Sequence, residues 1–163
     1  MRLATIILCS FLLLGARAEA APLRVVSINL CTDILALDLA APGQVKSVFR
    51  VSADPEDSPV ADLAKAMALN NATAEEILSF KPDLVLAHAF SSSFTLNLIR
   101  RAHVPVVQVS DAESFADVRA NVRLVAAALG AEAKGEAWIA RFDKELAATA
   151  RPMSAHPPRA VIY

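Results

Sequence analysis

The sequence predicts an α/β fold in which a parallel sheet is flanked by helices, and two patterns support this prediction. Five short runs rich in β-branched residues are apolar throughout, which is typical of strands that are buried on both faces. The runs cover residues 24–28, 45–49, 83–88, 104–109 and 159–163. Segments with helical periodicity separate most of these runs. Strands that alternate with helices favour a parallel sheet with right-handed crossover connections.

Three predicted helices directly follow predicted strands. They are the segments "CTDILALDLAA", "SSFTLNLIRRA" and "SFADVRANVRLVAAALG", after the first, third and fourth runs. The last segment reaches Gly130, a residue type that often ends a helix in the left-handed conformation. We therefore expect residues 21–130 to form one α/β lobe.

A fourth predicted helix precedes the third strand. In "ATAEEILSF", Thr73 and Glu76 have the T-x-x-E spacing of a capping box, so the helix is expected to begin there. Pro82 cannot continue the helix, and it favours an extended conformation for Lys81. The chain is therefore expected to turn and enter the strand at Asp83.

Two segments depart from this alternation. Residues 51–71 are rich in Pro, Asp and Ser and are predicted as a long loop with one helical turn near Leu63. Residues 131–151 are predicted as a long helix, because large apolar residues recur at four-residue spacing along one face. Those residues are Trp138, Phe142 and Leu146.

The two ends of the chain carry further signals. Residues 1–20 have the basic start, apolar run and closing Ala-Glu-Ala of a secretory signal peptide, so we expect the protein to be exported. The apolar run is shorter than the roughly 20 residues that a membrane-spanning helix needs. Cys31 is then the only cysteine, and we expect a buried thiol. Residues 152–163 are predicted as a Pro-rich connector followed by the first strand of a truncated second lobe.

Charge and motif content argue against several functions. A net charge of −1 gives no reason to expect nucleic acid or an anionic membrane as a partner. The sequence has no G-x-S-x-G motif, and its four glycines are too scattered for a phosphate-binding loop. These absences disfavour an enzyme, with a secreted α/β hydrolase as one alternative. A zinc- or manganese-binding transporter protein is the other, although His156 in the Pro-rich connector disfavours a three-histidine site.

Five residues are candidates for ligand contacts because of their place relative to the strands. The carboxyl ends of parallel strands share one edge of a sheet, where open α/β sheets bind ligands. The candidates at or near this edge are Asn29, Thr32, Arg50, His88 and Phe90. Alternative roles remain open: Asn29 and Thr32 could cap a helix, and Arg50 could be a solvated loop residue.

Residues 23–163 resemble the first half of a periplasmic substrate-binding protein of an ABC importer for cobalamin, ferric siderophores or haem. The resemblance is carried by "RVVSINLCTDILALDLA", "VKSVFRVSADPEDSP" and above all "EEILSFKPDLVLAH". It implies two α/β lobes that are joined by a stiff helix and hold the ligand in the cleft between them. The second lobe would then be missing from this sequence.

The resemblance also implies partners. A metal chelate (a corrinoid, a ferric siderophore or haem) would bind in the cleft, and the protein would act as a monomer without a cofactor. Glu75 matches the glutamate with which the first lobe docks against the membrane permease. His88 stands where cobalamin binders carry an aromatic residue. Its imidazole could stack, donate a hydrogen bond or bind a metal centre axially.

Overall fold

The computed structural model describes residues 23–149, which contain a five-stranded parallel sheet with helices on both faces. The sheet order is β3-β2-β1-β4-β5, so the order of the strands reverses between β1 and β4. The strands are β1 (Val25–Ser27), β2 (Val45–Phe49), β3 (Ala68–Asn70), β4 (Leu84–His88) and β5 (Val106–Val109). This architecture confirms the predicted fold class.

The helices follow the predicted alternation. They are α1 (Leu30–Leu39), α2 (Ala61–Ala64), α3 (Ala74–Ser79), α4 (Ser93–Arg101), α5 (Phe115–Leu129) and α6 (Glu132–Thr149). A short 3₁₀ turn, Arg50–Ala53, follows β2. Gly130 ends α5 with φ 67°, which confirms the predicted left-handed cap. Within residues 23–149, no helix is long and apolar enough to cross a bilayer.

Two apolar cores lie on opposite faces of the sheet. Alternate residues of the central strands point to opposite faces, so Val25 and Leu86 join one core while Val26 and Val85 join the other. The first core includes buried residues of α1, α5 and α6, and the second includes those of α3 and α4. Burial on both faces explains why the strands read as continuous apolar runs.

One strand was missed by the sequence pattern. Ala68–Asn70 lies within the predicted loop of residues 51–71, yet it pairs with β2 in parallel at the edge of the sheet. Ala68 and Leu69 are exposed, and the strand is too short to produce an apolar run. The helical turn expected near Leu63 is present as α2.

The expected conformation of Lys81 was wrong. This residue has a φ of 50°, in the left-handed region, although the following proline favours an extended conformation. The Lys81 N–H donates to the Leu78 carbonyl oxygen at 2.9 Å and so closes the C-terminal end of α3. The turn after α3 is thus tighter than the sequence indicated.

The long helix α6 packs closely against α5. A Cβ atom added at Gly135 would lie 2.6 Å from the Ala126 Cβ, so the two backbones approach closely here. Ion pairs reinforce the contact: Arg123 Nε lies 2.6 Å from Glu136 Oε1, and Arg119 also pairs with a residue of α6. The predicted end of this helix at residue 151, the signal peptide and the strand at 159–163 lie outside the described residues.

Candidate functional site

The carboxyl edge of the sheet brings most of the candidate residues together. The order of the strands reverses between β1 and β4, and open α/β sheets bind ligands at such a point. Asn29 follows β1, Arg50 follows β2, and His88 ends β4. Neighbouring strands are about 4.8 Å apart, so roughly 10 Å separates the ends of β2 and β4. A large ligand could therefore contact both.

One part of this edge, which we call the polar half, lies at the ends of β1, β2 and β3. Asn29 is the N-cap of α1, and its Oδ1 accepts from the Cys31 N–H at 2.9 Å. Thr32 is fully buried, and its hydroxyl donates to the Asn29 carbonyl oxygen and accepts from the Ser27 hydroxyl. The expectation that Thr32 contacts a ligand is therefore wrong for this conformation, because α1 packs that side chain against the sheet.

Asp33 is a buried residue of the polar half that the sequence analysis missed. Its Oδ2 accepts from the Phe49 N–H at 2.8 Å and from the Ser52 hydroxyl at 2.5 Å. Burial raises the pKa of this carboxyl to about 6, although hydrogen bonds from hydroxyl groups and from the Phe49 N–H oppose the shift. The carboxylate thus ties the first turn of α1 to the end of β2 and to the turn after it.

Asn70 completes the polar half. This side chain is fully buried, and its amide group donates to the Ser27 carbonyl oxygen at 3.0 Å and to the Ser47 hydroxyl at 2.9 Å. Its Oδ1 accepts from the Ala72 N–H. One side chain at the end of β3 therefore joins this strand to β1 and β2. Sequence alone gave no signal for this, because its partners lie 23 and 43 residues away.

Arg50 is exposed on the surface of the polar half. Its guanidinium forms no ion pair within residues 23–149. It lines an open polar cavity of about 270 Å³ together with Val51, Asp54 and Asp57. The side chain is thus available to an anionic group that approaches the edge.

The aromatic half of the edge lies at the ends of β4 and β5. Phe90 is 79% exposed and Phe94 is 73% exposed, both after β4. Phe115, at the start of α5, is 55% exposed and helps to line a cavity of about 410 Å³. Large apolar side chains with this exposure favour a binding surface. The sequence analysis identified only Phe90 of the three.

His88 lies beneath this aromatic half, with a side chain only 8% exposed. Its Nδ1 accepts from the Phe90 N–H at 3.3 Å, and its Nε2 lies 3.3 Å from Asp111 Oδ1. A nitrogen that accepts carries no proton, so this geometry corresponds to a neutral ring that donates from Nε2. The Phe90 ring is tilted by 43° against the imidazole. His88 therefore supports Phe90 and the loop that carries Asp111.

Cys31 corrects another expectation. The thiol was expected to be buried, but Cys31 is free and exposed in the first turn of α1. The apolar pattern around it belongs to residues that face the sheet, such as Ala36 and Leu39. Cys31 directly precedes Thr32 and Asp33, the first residues of α1 that are buried.

Glu75 and Glu76, both in the first turn of α3, have different surroundings. Glu76 accepts from the Asn71 N–H at 2.6 Å and from the Asn71 side-chain amide at 2.8 Å. These hydrogen bonds lower the pKa of Glu76. Thr73 Oγ1 accepts from the Glu76 N–H, as in a capping box. The Glu76 carboxylate, however, binds the N–H of Asn71. Glu75 is exposed and has no hydrogen bond or ion pair within the described residues.

A metal-binding cluster and a second cavity are the alternatives to the carboxyl edge. Within residues 23–149, no group of three or more His, Cys, Asp or Glu side chains could hold a metal ion. A cavity of about 460 Å³ lies at the opposite edge of the sheet, between the end of α1 and the start of α6. Its lining is mainly Ala, Leu, Pro and Gly, without the converging polar groups of a specific site. The carboxyl edge is therefore the candidate ligand surface.

Comparison with curated proteins identifies a transport relative. The chain is 35% identical over 79 residues to the uncharacterized ABC transporter substrate-binding lipoprotein YvrC of Bacillus subtilis (strain 168). The match covers 47% of this chain and 25% of the lipoprotein.

Two solved structures share the fold. The periplasmic haem-binding protein BhuT in complex with two haems is 26% identical, with a TM-score of 0.66. The periplasmic haem-binding protein RhuT from Roseiflexus sp. RS-1, in its apo form, is 29% identical, with a TM-score of 0.65. Each match covers 78% of this chain and 49% of the other, so the chain spans about half the length of these proteins.

The described fold corresponds to the N-terminal lobe of a binding protein whose lobes are joined by a long helix. The family of periplasmic binding proteins matches residues 25–163, which is most of the sequence. The chain therefore belongs to the periplasmic binding protein family.

Proposed function

We propose that this chain is the N-terminal lobe of the solute-binding component of an ABC importer, and that its ligand is a metal chelate of the haem type. The observation that carries the proposal is the exposure of Phe90 and Phe94 after β4, next to the point where the order of the strands reverses. Similarity to two haem-binding proteins above 25% identity supports the same ligand class. A corrinoid or a ferric siderophore is the alternative ligand.

The two halves of the edge suit two parts of an amphipathic macrocycle. The rings of Phe90 and Phe94 offer an apolar surface on which a flat conjugated ring can stack. Arg50 and the amide of Asn29 can donate to peripheral carboxylates, and an arginine fork matches a carboxylate well. A single lobe offers one wall only, so the second lobe would supply the rest of the cleft.

His88 is proposed to act through its neighbours. Axial ligation through Nε2 requires a lone pair on that nitrogen, which moves the ring proton to Nδ1. A protonated Nδ1 could no longer accept the Phe90 N–H bond. The imidazole is also nearly occluded. We therefore propose that His88 holds Phe90 in place. Its imidazole contacts the ligand only through the small part of the ring that is exposed.

Glu75 is proposed to dock against the permease. It is exposed at the start of α3, whereas the neighbouring Glu76 is engaged by Asn71. A free surface carboxylate can pair with an arginine of a partner, and such pairs mainly set orientation and association rate. The site of ligand binding and the site of docking would thus use different residues of the lobe.

The test is a titration of the full-length protein with hemin, followed by the Soret absorption and by quenching of tryptophan fluorescence, to which Trp138 contributes. Cyanocobalamin and a ferric hydroxamate siderophore serve as competitors. The proposal predicts saturable 1:1 binding of hemin, of which either competitor at tenfold excess displaces no more than about a tenth, as an affinity difference of roughly 2.8 kcal/mol or more requires. Saturable binding of a competitor without binding of hemin would contradict the haem assignment. Turnover of ester substrates would contradict the binding role.

A further inference from the structure

The carboxylate of Asp33 lies under the ligand edge, but none of the proposed ligand contacts uses it. The residue is fully buried, and both of its hydrogen-bond donors flank Arg50: the Phe49 N–H comes one residue before, and the Ser52 hydroxyl two residues after. Its other oxygen, Oδ1, has no hydrogen-bond partner within the described residues. One oxygen therefore makes both contacts to the segment that carries Arg50.

We propose that Asp33 is a positioning residue, which fixes the 3₁₀ turn Arg50–Ala53 and thereby the place from which the Arg50 guanidinium reaches the ligand. The consequence for ligand affinity rests on the proposed function. The fixing of the turn does not, because it follows from the two hydrogen bonds alone.

Within the described residues, the backbone of the turn decides where Arg50 lies. Its side chain is exposed and forms no ion pair there, so its location depends on where its backbone is held. The turn directly follows β2, whose Phe49 pairs with Asn70 of β3, and Ala53 packs against the first core. The Asp33 carboxylate adds hydrogen bonds from α1 on both sides of Arg50. Asp33 thus attaches the segment that carries Arg50 to α1.

The charge of Asp33 makes the attachment stronger than a neutral group would. Hydrogen bonds to an ionised acceptor are roughly twice as strong as those between neutral groups. Burial raises the pKa of this carboxyl to about 6, so the ionised form is present at neutral pH despite its desolvation. The fold thus keeps a buried charge, at a cost in stability, directly below an exposed arginine of the candidate site.

The first arm of the test measures the turn directly, by amide hydrogen exchange of residues 49–53 in the full-length protein. Asp33→Ala removes the acceptor, so exchange at the Phe49 amide should rise by about tenfold or more. Asp33→Asn keeps an acceptor oxygen of the same shape and should restore most of the protection. Ile77→Val, in the core on the other face of the sheet, is a control for general loss of stability. Unchanged exchange in Asp33→Ala would overturn the proposal.

The second arm measures hemin affinity in a double-mutant cycle of Asp33→Ala and Arg50→Ala. Each single variant should lose roughly tenfold in affinity, the loss expected for one charge-assisted hydrogen bond. The double variant should lose little more, because both changes remove the same contact. Asp33→Asn should bind within about twofold of the wild type. Additive losses in the cycle would overturn the coupling of Asp33 to Arg50.

The two arms separate the possible failures. If Arg50→Ala binds hemin as the wild type does, the proposed contact between Arg50 and the ligand fails. The exchange arm still decides whether Asp33 fixes the turn. If Asp33→Ala weakens binding while exchange at residues 49–53 stays unchanged, the positioning role fails and the proposed function stands.

Discussion

The polar half and the aromatic half of the carboxyl edge are built in opposite ways. In the polar half, Asp33 and Asn70 are fully buried and bind backbone and hydroxyl groups of neighbouring strands. In the aromatic half, Phe90 and Phe94 project into solvent, with more than 70% of each residue exposed. The first half gains rigidity from buried hydrogen bonds, and the second leaves apolar area uncovered. The comparison indicates that one half fixes the edge while the other supplies contact area for a partner.

The largest expected effect comes from the buried charge of the polar half. The pKa of Asp33 is raised from 3.8 to about 6, so the folded state binds its proton more tightly than the unfolded state does. Its stabilising contribution is therefore complete below about pH 4 and is lost as the pH rises through about 6. The difference between the two values corresponds to roughly 3 kcal/mol. Asp33→Asn should thus unfold at higher denaturant concentration than the wild type above pH 6, and at a similar one at pH 4.

Asp83→Asn is the matched control for that measurement. The Arg24 side chain lowers the pKa of Asp83 to about 2, mainly through hydrogen bonds. Its contribution is present above the ordinary value of 3.8 and is lost only as the pH falls through about 2. The gap between this variant and the wild type should therefore stay constant from pH 5 to pH 8. A constant gap for Asp33→Asn as well would contradict the buried-charge interpretation.

Asn70→Ala tests whether the polar half acts mainly through stability. The substitution leaves the Ser27 carbonyl and the Ala72 N–H without their partner, and the Ser47 hydroxyl loses an amide donor. We expect a loss of about 2 kcal/mol in the free energy of unfolding, since buried polar groups without partners are costly. Urea denaturation would measure it. Asn71→Ala, next to it but exposed, should cost less. Equal losses would show that Asn70 does not join the strands as proposed.

Phe94→Ala tests whether the aromatic half acts through ligand binding and not through stability. The side chain is 73% exposed, so its removal should change the midpoint of unfolding little. If the ring stacks on the ligand, hemin affinity should fall by roughly tenfold, as for the loss of one aromatic contact. Leu124→Ala removes an exposed apolar residue of α5 that lies outside the candidate site and should leave affinity unchanged. An equal loss in both variants would indicate nonspecific adsorption of hemin.

The features that the sequence predicted depend on neighbouring residues in the chain. Strands β1, β2, β4 and β5 were visible because local composition records burial on both faces. Gly130 was visible because its residue type suits a left-handed cap. Both signals lie within a few neighbouring residues, and the fold class needed no more than these.

The missed features depend on contacts between distant segments. The partners of Asp33 lie 16 and 19 residues away, and one of those of Asn70 lies 43 residues away. An aspartate is common in the first turn of a helix, so Asp33 gives no sign of its other role unless the position of β2 is known. Thr32 was assigned to the ligand surface for the same reason: its place near the edge was right, but its side chain packs inward. The sequence predicted which residues lie near the ends of the strands, but it could not decide which of their side chains are exposed there.

The smallest expected effect concerns Glu75, which belongs to neither half. It is exposed on α3 and forms no hydrogen bond or ion pair within residues 23–149. Glu75→Gln should therefore change neither the free energy of unfolding nor hemin affinity beyond measurement error. Uptake of the ligand by whole cells should still fall if the carboxylate docks on a permease, because charge pairs raise the rate of association. Glu76→Gln is the neighbouring control: it weakens the bonds to Asn71 and should lower stability slightly. Normal uptake with Glu75→Gln would contradict a docking role for this residue. It would leave the proposed ligand contacts of both halves of the carboxyl edge untouched.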